Sequence, residues 1–225
     1  MEYIEEVKEF LLSYLKGKVC EYEVIHPWRR DSNFIVLHSL RVFTYAMKIS
    51  EAMKDGLTEE EMFIIQLAAI LHDIGKAEES ENHGKRSVEI VSQWLNENID
   101  IKRDVKDVNR LLSIIENHSN KDGEENDICA AILKDADTLD EIGALSIFMA
   151  SSRVDRNSPF FFNDLLHRIE TYEFSFCDKQ MKRLNTSYGK KLLEDKVEFI
   201  KSFNKELSLE IEGTEEIYDV LKVER

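Results

Sequence analysis

An apolar run that ends abruptly in a histidine and an aspartate constrains this chain more than any other feature. Residues 67–71, Leu-Ala-Ala-Ile-Leu, are followed at once by His72 and Asp73, and Gly75 and Lys76 come soon after. Imidazole and carboxylate groups are costly to bury unless they are paired or bound to a metal ion. A helix that carries such a pair at its buried end is therefore a candidate site as well as a structural element.

The rest of the chain favours long helices, because only two prolines and eight glycines interrupt 225 residues. Apolar side chains recur at helical spacing, and no segment has the pattern of a strand. The periodicity predicts helices at roughly 2–16, 34–54, 58–73, 85–97, from Asp100 or Asp104 to 117, 128–133, 140–151, 162–172 and 186–208.

Helix signals and the absence of repeats indicate a single domain. Thr58 and Glu61 stand three residues apart before an apolar run, which is the pattern of a capping box. The tail after Gly213 has no clear pattern. We therefore expect an all-α fold, a helical bundle in which residues 1–225 form one domain.

Charge and cysteine content argue against several classes of partner. Thirty basic residues against forty-five acidic ones give a net charge of −15, so we expect no binding to duplex DNA and no anionic membrane surface as partner. Cys20, Cys129 and Cys177 are odd in number and far apart, which favours a reducing, cytoplasmic setting. The acidic start is not a signal peptide, and no apolar run approaches the ~18 residues of a membrane span.

Several histidines and aspartates lie at or near predicted helix ends: His38, His72, Asp73, His83, His118, Asp135 and Asp137. Imidazoles and carboxylates are the ligands that Mn, Fe, Ni, Zn and Mg accept in mixed sites. The C-terminus of a helix also favours a cation, because the helix dipole is negative there. The pattern predicts a divalent metal ion that is bound where these helix ends meet and activates a water molecule.

Basic residues near this pattern are candidates to bind an anionic substrate. Lys76 lies one helical turn past His72, where it can hold a phosphate or stabilise negative charge in a transition state. Arg30 belongs to a compact basic and aromatic segment, Trp28-Arg29-Arg30, and adds to a local positive patch. We therefore expect Lys76 and Arg30 to contact the substrate.

Four segments resemble the signature of the HD-domain phosphohydrolase superfamily. They are His38-x-x-Arg41-Val42, Leu71-His72-Asp73-Ile74-Gly75-Lys76, Ile115-x-x-His118-Ser119 and Asp135-Ala136-Asp137-Thr138-Leu139-Asp140-x-x-Gly143. A closing segment is similar to small bacterial predicted HD hydrolases: Thr186-x-x-Gly189-Lys190-Lys191-Leu192. The resemblance implies an all-α fold with an HD core at about 30–150, completed by the C-terminal helices.

The resemblance also implies the metal ligands. In that family the first histidine, the His-Asp doublet and a late aspartate bind the metal, and these carry over to His38, His72, Asp73 and Asp137. Asp137 is preferred for the last position because its Ala-Asp-x-Leu context resembles the ligand segment of related nucleotide hydrolases. Asp135 stays open as an alternative ligand or as a residue behind the ligands.

Family members with two metal ions add further histidines between the doublet and the last aspartate. His83 and His118 stand at those places, with Asp73 as the carboxylate that bridges the ions. The resemblance therefore implies one or two divalent ions per site. It also implies catalytic roles for Asp73, which can accept a proton from water, and for Lys76.

The implied function is that of a metal-dependent phosphohydrolase. It would cleave a phosphoester or phosphoanhydride of a small phosphorylated molecule, with a nucleotide as the favoured substrate, by metal-activated water. An HD-type diiron oxygenase with a similar ligand set and a non-catalytic nucleotide-sensing module remain alternatives. The native metal and a homo-oligomeric assembly stay open.

Overall fold

The structure is a computed structural model that describes residues 3–20, 22–24, 26–123 and 125–212. Residues 1 and 2 and the tail from Gly213 onward, whose pattern is unclear, lie outside these ranges. The α-helices are α1 Ile4–Leu15, α2 Ser32–Ala52, α3 Glu59–Leu71, α4 His83–Glu97, α5 Ile99–Asp104, α6 Val108–Asn117, α7 Ile128–Asp140, α8 Ala144–Ser151, α9 Phe161–Arg168, α10 Phe174–Arg183 and α11 Ser187–Glu212. The described residues contain no strand, only an isolated bridge between Val19 and Asp31. The all-α prediction is confirmed.

The first of two compact units holds the described residues of Met1–Asp140 together with Arg183–Gly189. In it α2 packs on α3 and α7, and α3 also contacts α1, α6 and α7. The helix α4 packs against α6 and against the 3₁₀ turn Ile74–Ala77 that follows α3. The centre is formed by fully buried aliphatic side chains, among them Val42, Ile64, Leu67, Ile70 and Leu133.

The second compact unit holds the described residues of Glu141–Lys182 and of Lys190–Arg225. In it α8 contacts α9 and the π-helical turn Ile169–Glu173, which joins α9 to α10. No helix among the described residues combines the length and the apolar character that a membrane span requires. The expectation of a single domain stays a prediction. The division into compact units does not show whether residues 1–225 unfold together in one cooperative step, as one domain would.

The predicted capping box at the start of α3 is confirmed. The Glu61 amide donates to Thr58 Oγ1 at 3.2 Å, and Glu61 Oε2 accepts from the Thr58 amide at 3.0 Å. These reciprocal bonds satisfy amides that the first turn of a helix leaves without partners. They fix the start of the helix that ends at the His72-Asp73 doublet.

Several helix bounds differ from those predicted, and α8 begins at Ala144 rather than at about 140. α7 continues through Asp140, so Asp135 and Asp137 lie inside a helix rather than after one. Aspartate has a low helix propensity, but both side chains are buried and bonded, and tertiary contacts override propensity. α6 is capped by Asp107, whose Oδ1 accepts from the Arg110 amide at 2.9 Å, because α5 is a separate short helix.

The turn after α3 depends on a close backbone approach at Gly75. A Cβ at this position would lie 2.6 Å from the Ser87 amide nitrogen, closer than real Cβ contacts come. The Gly75 amide also donates to Ser87 Oγ at 3.0 Å. Because Gly75 lacks a side chain, the segment that follows Asp73 can lie directly on α4, the helix that begins at His83.

Candidate metal centre

Four side chains from α2, α7 and the segment just after α3 meet in what we call the four-ligand group: His38, His72, Asp73 and Asp137. His38 Nε2 lies 3.2 Å from His72 Nε2, 3.3 Å from Asp73 Oδ2 and 3.2 Å from Asp137 Oδ1. His72 Nε2 lies 3.8 Å from that Asp73 oxygen and 3.9 Å from that Asp137 oxygen. Metal–ligand bonds of about 2.0–2.2 Å separate two ligand atoms of one ion by about 3.0–3.5 Å, so the spacing suits a shared cation.

A second set, the three-ligand group, consists of Asp73, His83 and His118. The two Nε2 atoms lie 3.3 Å apart, and Asp73 Oδ1 is 3.4 Å from the one on His83 and 3.3 Å from the one on His118. Asp73 therefore turns one carboxylate oxygen to each group. The groups adjoin, because ligand atoms of His72, His118 and Asp137 also lie within 4.8 Å of one another.

The other ring nitrogen of each histidine is engaged with an oxygen. His72 Nδ1 lies 3.1 Å from the Ala69 carbonyl oxygen, and the Nδ1 atoms of His83 and His118 lie 2.7 Å from the carbonyl oxygens of residues 80 and 115. His38 Nδ1 lies 2.8 Å from a carboxylate oxygen of Asp140. These oxygens accept hydrogen bonds, so Nδ1 carries the proton and Nε2 is left as the ligand atom.

An orphaned oxygen provides a test of whether this ligand set fits a cation. Among the described residues, Asp73 Oδ1 is buried and accepts no hydrogen bond. Burial of an unbonded carboxylate oxygen is costly. Asp73 Oδ1 faces the Nε2 atoms of His83 and His118. Because the Nδ1 atom of each ring carries the proton, neither Nε2 atom can donate a hydrogen bond to this oxygen. A cation is the partner that satisfies all three atoms, and we conclude that the residues fit a metal ion.

Burial and neighbouring charges move the histidine pKa values in opposite directions. Burial lowers the pKa of His72 to about 3, so its ring is neutral. Burial also disfavours charge on His38, but hydrogen bonds to Asp137, Asp140 and Asp73 outweigh that effect and raise its pKa well above its usual value. Without a metal ion, a proton on His38 Nε2 balances the carboxylates, and a cation that takes its place would release it.

Each carboxylate of the four-ligand group has a lysine beside it. Lys76 Nζ lies 2.7 Å from Asp73 Oδ2, and Lys121 Nζ lies 2.7 Å from Asp137 Oδ2. Burial disfavours ionisation of both carboxyls, but these lysines and the neighbouring histidines hold both pKa values well below the usual range. The carboxylates are thus ionised at neutral pH, as metal ligands must be.

The predicted convergence of helix ends accounts for part of the cluster. His72 caps α3, His118 caps α6, and Asp137 lies in the last turn of α7. The negative ends of three helix dipoles therefore lie near the ligand atoms. His38 lies in the second turn of α2, and His83 is the first residue of α4, so these two do not follow the pattern.

Two other candidates lie outside the cluster. Both Asp135 oxygens are engaged elsewhere, since Oδ1 accepts from the Asn185 amide at 2.8 Å and Oδ2 accepts from Thr186 Oγ1 at 2.7 Å. The geometry therefore favours Asp137 over Asp135 as the last ligand. Arg30 has an exposed side chain beside Lys18 and Glu78, and no hydrogen bond or ion pair among the described residues joins it to the cluster. Its role in substrate binding stays a prediction.

Sequence reasoning missed two contributors. It did not select Lys121, which lies in a polar turn where a lysine is ordinarily a solvated surface group. It named Asp140 only as part of a motif, whereas this carboxylate contacts both His38 and Arg41. Asp140 follows Asp137 by three residues on one helix, and Arg41 follows His38 by three on another, but this spacing alone does not pair the two helices.

Comparison with known proteins identifies a family domain within the chain. The model of the HD domain matches residues 35–142, a segment that contains all six side chains of the two groups. No curated protein matches the chain in sequence.

Solved structures with the same fold match nearly the whole chain. An HD-superfamily hydrolase from Bacillus thuringiensis is 24% identical over 95% of this chain and 98% of its own, with a TM-score of 0.63. A predicted HD-superfamily hydrolase from an uncultured Thermotogales bacterium is 21% identical over 92% of each chain, with a TM-score of 0.59. YpgQ from Bacillus subtilis, solved in complex with ADP, is 22% identical over 94% of this chain and 96% of its own, with a TM-score of 0.58. The match of the HD-domain model to residues 35–142 confirms the resemblance drawn from the sequence motifs, and the solved structures confirm the fold: the chain contains an HD domain.

Proposed function

We propose that this protein is a metal-dependent phosphohydrolase that cleaves a phosphoester or phosphoanhydride of a small phosphorylated molecule. The observation that carries the proposal is that His38 Nε2 lies 3.2–3.3 Å from ligand atoms of His72, Asp73 and Asp137, with His83 and His118 beyond the shared Asp73. The HD family match supports a metal-dependent hydrolase at this level. The catalytic and ligand roles of the named residues are part of the proposal.

The local charge supports an anionic substrate despite the net charge of −15 for the whole chain. The two carboxylates of the four-ligand group are balanced by Lys76 and Lys121, and the histidine ligands are neutral when they bind a metal. Each divalent ion then adds two positive charges in a largely buried place. A phosphate group approaching the site therefore meets a positive field close at hand.

The residues of the chain divide the work of hydrolysis. The two ligand groups would hold the divalent cation, which when bound would supply a water molecule activated as the nucleophile. The side chain of Lys76 is 40% exposed, so its ammonium lies where a phosphate oxygen arriving from solvent would meet it. Asp73 is a weak base because its pKa is held well below the usual range, and its main contribution is a fixed negative charge shared by both groups.

We favour a nucleotide as the substrate. YpgQ, which shares the fold, was solved in complex with ADP, and a nucleoside phosphate carries the charge that the site attracts. The substrate class rests on this relative and on the charge of the site, so a broad panel of phosphorylated compounds is the appropriate test.

A diiron oxygenase is the second candidate, favoured by one observation. Asp73 presents an oxygen to each of two adjoining groups, which is the geometry of a carboxylate between two metal ions. Such a centre also suits oxygen chemistry when it holds iron. Iron content together with oxygen consumption would support this candidate over hydrolysis.

The test is elemental analysis of gently purified protein followed by a phosphate-release screen. Nucleotides, sugar phosphates and a generic aryl phosphate are supplied with Mn, Mg, Ni and Fe in turn. The proposal expects metal-dependent release from at least one compound by the wild type and none by His72→Ala. Metal-loaded protein that binds nucleotides but releases no phosphate would overturn the proposal in favour of a sensing module.

A further inference from the structure

His38 differs from the other three histidines in how its ring is held. His72, His83 and His118 each use a carbonyl oxygen three residues earlier in the chain, so the local backbone orients their rings. His38 lies within α2, where the preceding carbonyl oxygens are already used by the helix itself. Its Nδ1 instead lies 2.8 Å from Asp140 Oδ2, on a different helix.

Asp140 is in turn fixed by a second residue of α2. Arg41 Nε donates to Asp140 Oδ1 at 2.6 Å, and Arg41 Nη2 donates to Asp140 Oδ2 at 3.0 Å. A two-pronged contact between a guanidinium and a carboxylate fixes direction as well as distance. The carboxylate is only 4% exposed, so it has little freedom to take another position.

These contacts link two ligands of the same group. Asp140 follows Asp137 by one helical turn, so α7 supplies both a carboxylate of the four-ligand group and the oxygen that orients the histidine opposite it. A carboxylate that accepts from Nδ1 also raises the electron density at Nε2 and so strengthens it as a ligand.

We propose that Asp140, held by Arg41, is a positioning residue that sets the direction and strength of His38 as a metal ligand. The inference rests on the proposed metal site and deepens it. It assigns to Asp140 a share of the metal affinity, although this residue belongs to none of the candidate ligand groups found among the described residues. Residues that orient a metal-binding histidine contribute about 10- to 100-fold to metal affinity.

Asp135 provides a matched control. Like Asp140 it is a buried aspartate on α7 with both oxygens engaged, but its partners are Asn185 and Thr186, and neither belongs to a ligand group. Asp140→Asn and Asp135→Asn each replace one buried carboxylate by an amide of the same size. If Asp140 has only a structural role, the two substitutions should change Mn²⁺ affinity to a similar extent. If Asp140 positions His38, only Asp140→Asn should weaken Mn²⁺ binding.

The experiment measures Mn²⁺ affinity by titration calorimetry on the full chain, with thermal unfolding of the metal-free protein as a check on folding. We expect Asp140→Asn to weaken Mn²⁺ binding about 10- to 100-fold. Asp135→Asn should lower the unfolding temperature but leave Mn²⁺ affinity within threefold of wild type. Arg41→Lys, which keeps the charge but loses the two-pronged contact, should fall between wild type and Asp140→Asn.

Two outcomes would overturn the inference: a folded Asp140→Asn variant with wild-type Mn²⁺ affinity, or an equal loss of affinity in Asp135→Asn. Both outcomes can be distinguished from a failure of the proposed hydrolase function. A wild type that binds Mn²⁺ but releases no phosphate would refute hydrolysis while the difference between the two aspartates still decides the role of Asp140.

Discussion

The two ligand groups share Asp73 and differ in almost every other respect. The four-ligand group has two carboxylates, and three charged side chains surround it: Lys76, Lys121 and Asp140. The three-ligand group has one oxygen of the shared carboxylate, and its two histidines are oriented by main-chain carbonyls. No side chain of either group is more than 13% exposed, so the groups differ in the number of carboxylates and in how their histidines are held rather than in burial.

This difference implies an order of metal binding. A divalent ion in the four-ligand group would have four ligands, two of them carboxylates, and affinity rises with the number and charge of the ligands. A second ion in the three-ligand group would have three ligands and would share a carboxylate already in use. The first ion should therefore bind tightly and the second weakly.

Removing the shared carboxylate should have the largest effect. Asp73→Ala deprives both groups of an oxygen ligand, so we expect elemental analysis to find neither ion. Phosphate release should fall at least about a thousandfold, since a bound metal contributes several kcal/mol to such reactions. Far-ultraviolet circular dichroism should show the helical signal largely intact. A variant that keeps the wild-type metal content would refute the shared role of Asp73.

Histidine substitutions should separate the two groups. His83→Ala removes a ligand of the three-ligand group only, so it should retain one tightly bound Mn²⁺ per chain. His38→Ala removes a ligand of the four-ligand group, so it should lose the tight ion. Calorimetric stoichiometry with Mn²⁺ measures both. If the two variants lost the same ion, the division into groups would be wrong.

Lys76→Ala should affect the substrate more than the metal. The lysine lies beside the four-ligand group but supplies no metal ligand, so metal content should stay at the wild-type level. Loss of one charged contact to a phosphate costs about 1.5–3 kcal/mol, which corresponds to a roughly 10- to 160-fold lower kcat/KM.

Lys201→Ala is the control for this substitution, because Lys201 forms an equivalent contact with Glu198 three residues earlier, also at 2.7 Å, on an exposed helix face. It should leave kcat/KM unchanged. Loss of metal from Lys76→Ala would instead mean that the lysine serves mainly to hold Asp73.

The sequence was sufficient for the fold class and the family, because both depend on local signals. Helical periodicity and few glycines and prolines favoured an all-α chain, and the His72-Asp73 doublet within its motif indicated the HD family. The side chains that the motifs imply as ligands do lie together, although their binding of metal stays a prediction. Asp137 was preferred over Asp135 from its context, and the partners of Asp135 at residues 185 and 186 supply a physical reason for that preference.

What sequence reasoning missed depends on contacts between distant segments. Asp140 touches His38 across 102 positions of the chain, and no local pattern reveals such a pair. Lys121 lies in a loop, where composition cannot distinguish a buried ion pair from a solvated charge. The helix α10, Phe174–Arg183, was left unassigned because a π-helical turn precedes it and shifts the apolar spacing.

The smallest expected effect tests how the three-ligand group is assembled. Gly84 follows His83 at the start of α4, and a Cβ there would lie 2.4 Å from the Glu116 carbonyl oxygen near the end of α6. Because Glu116 is only two residues before His118, the missing side chain lets the two histidines come within reach of one ion. Gly84→Ala should force the helices apart, cost about 1–3 kcal/mol of unfolding free energy, and weaken only the second Mn²⁺. Chemical denaturation and calorimetry measure the two effects.

Gly56→Ala is the control, because no atom lies within 4 Å of a Cβ at this position, and it should leave Mn²⁺ binding unchanged. If Gly84→Ala instead displaced the tightly bound ion, a change in the three-ligand group would also disturb the four-ligand group. The two groups would then not be structurally independent, and only their difference in charge could explain the order of binding.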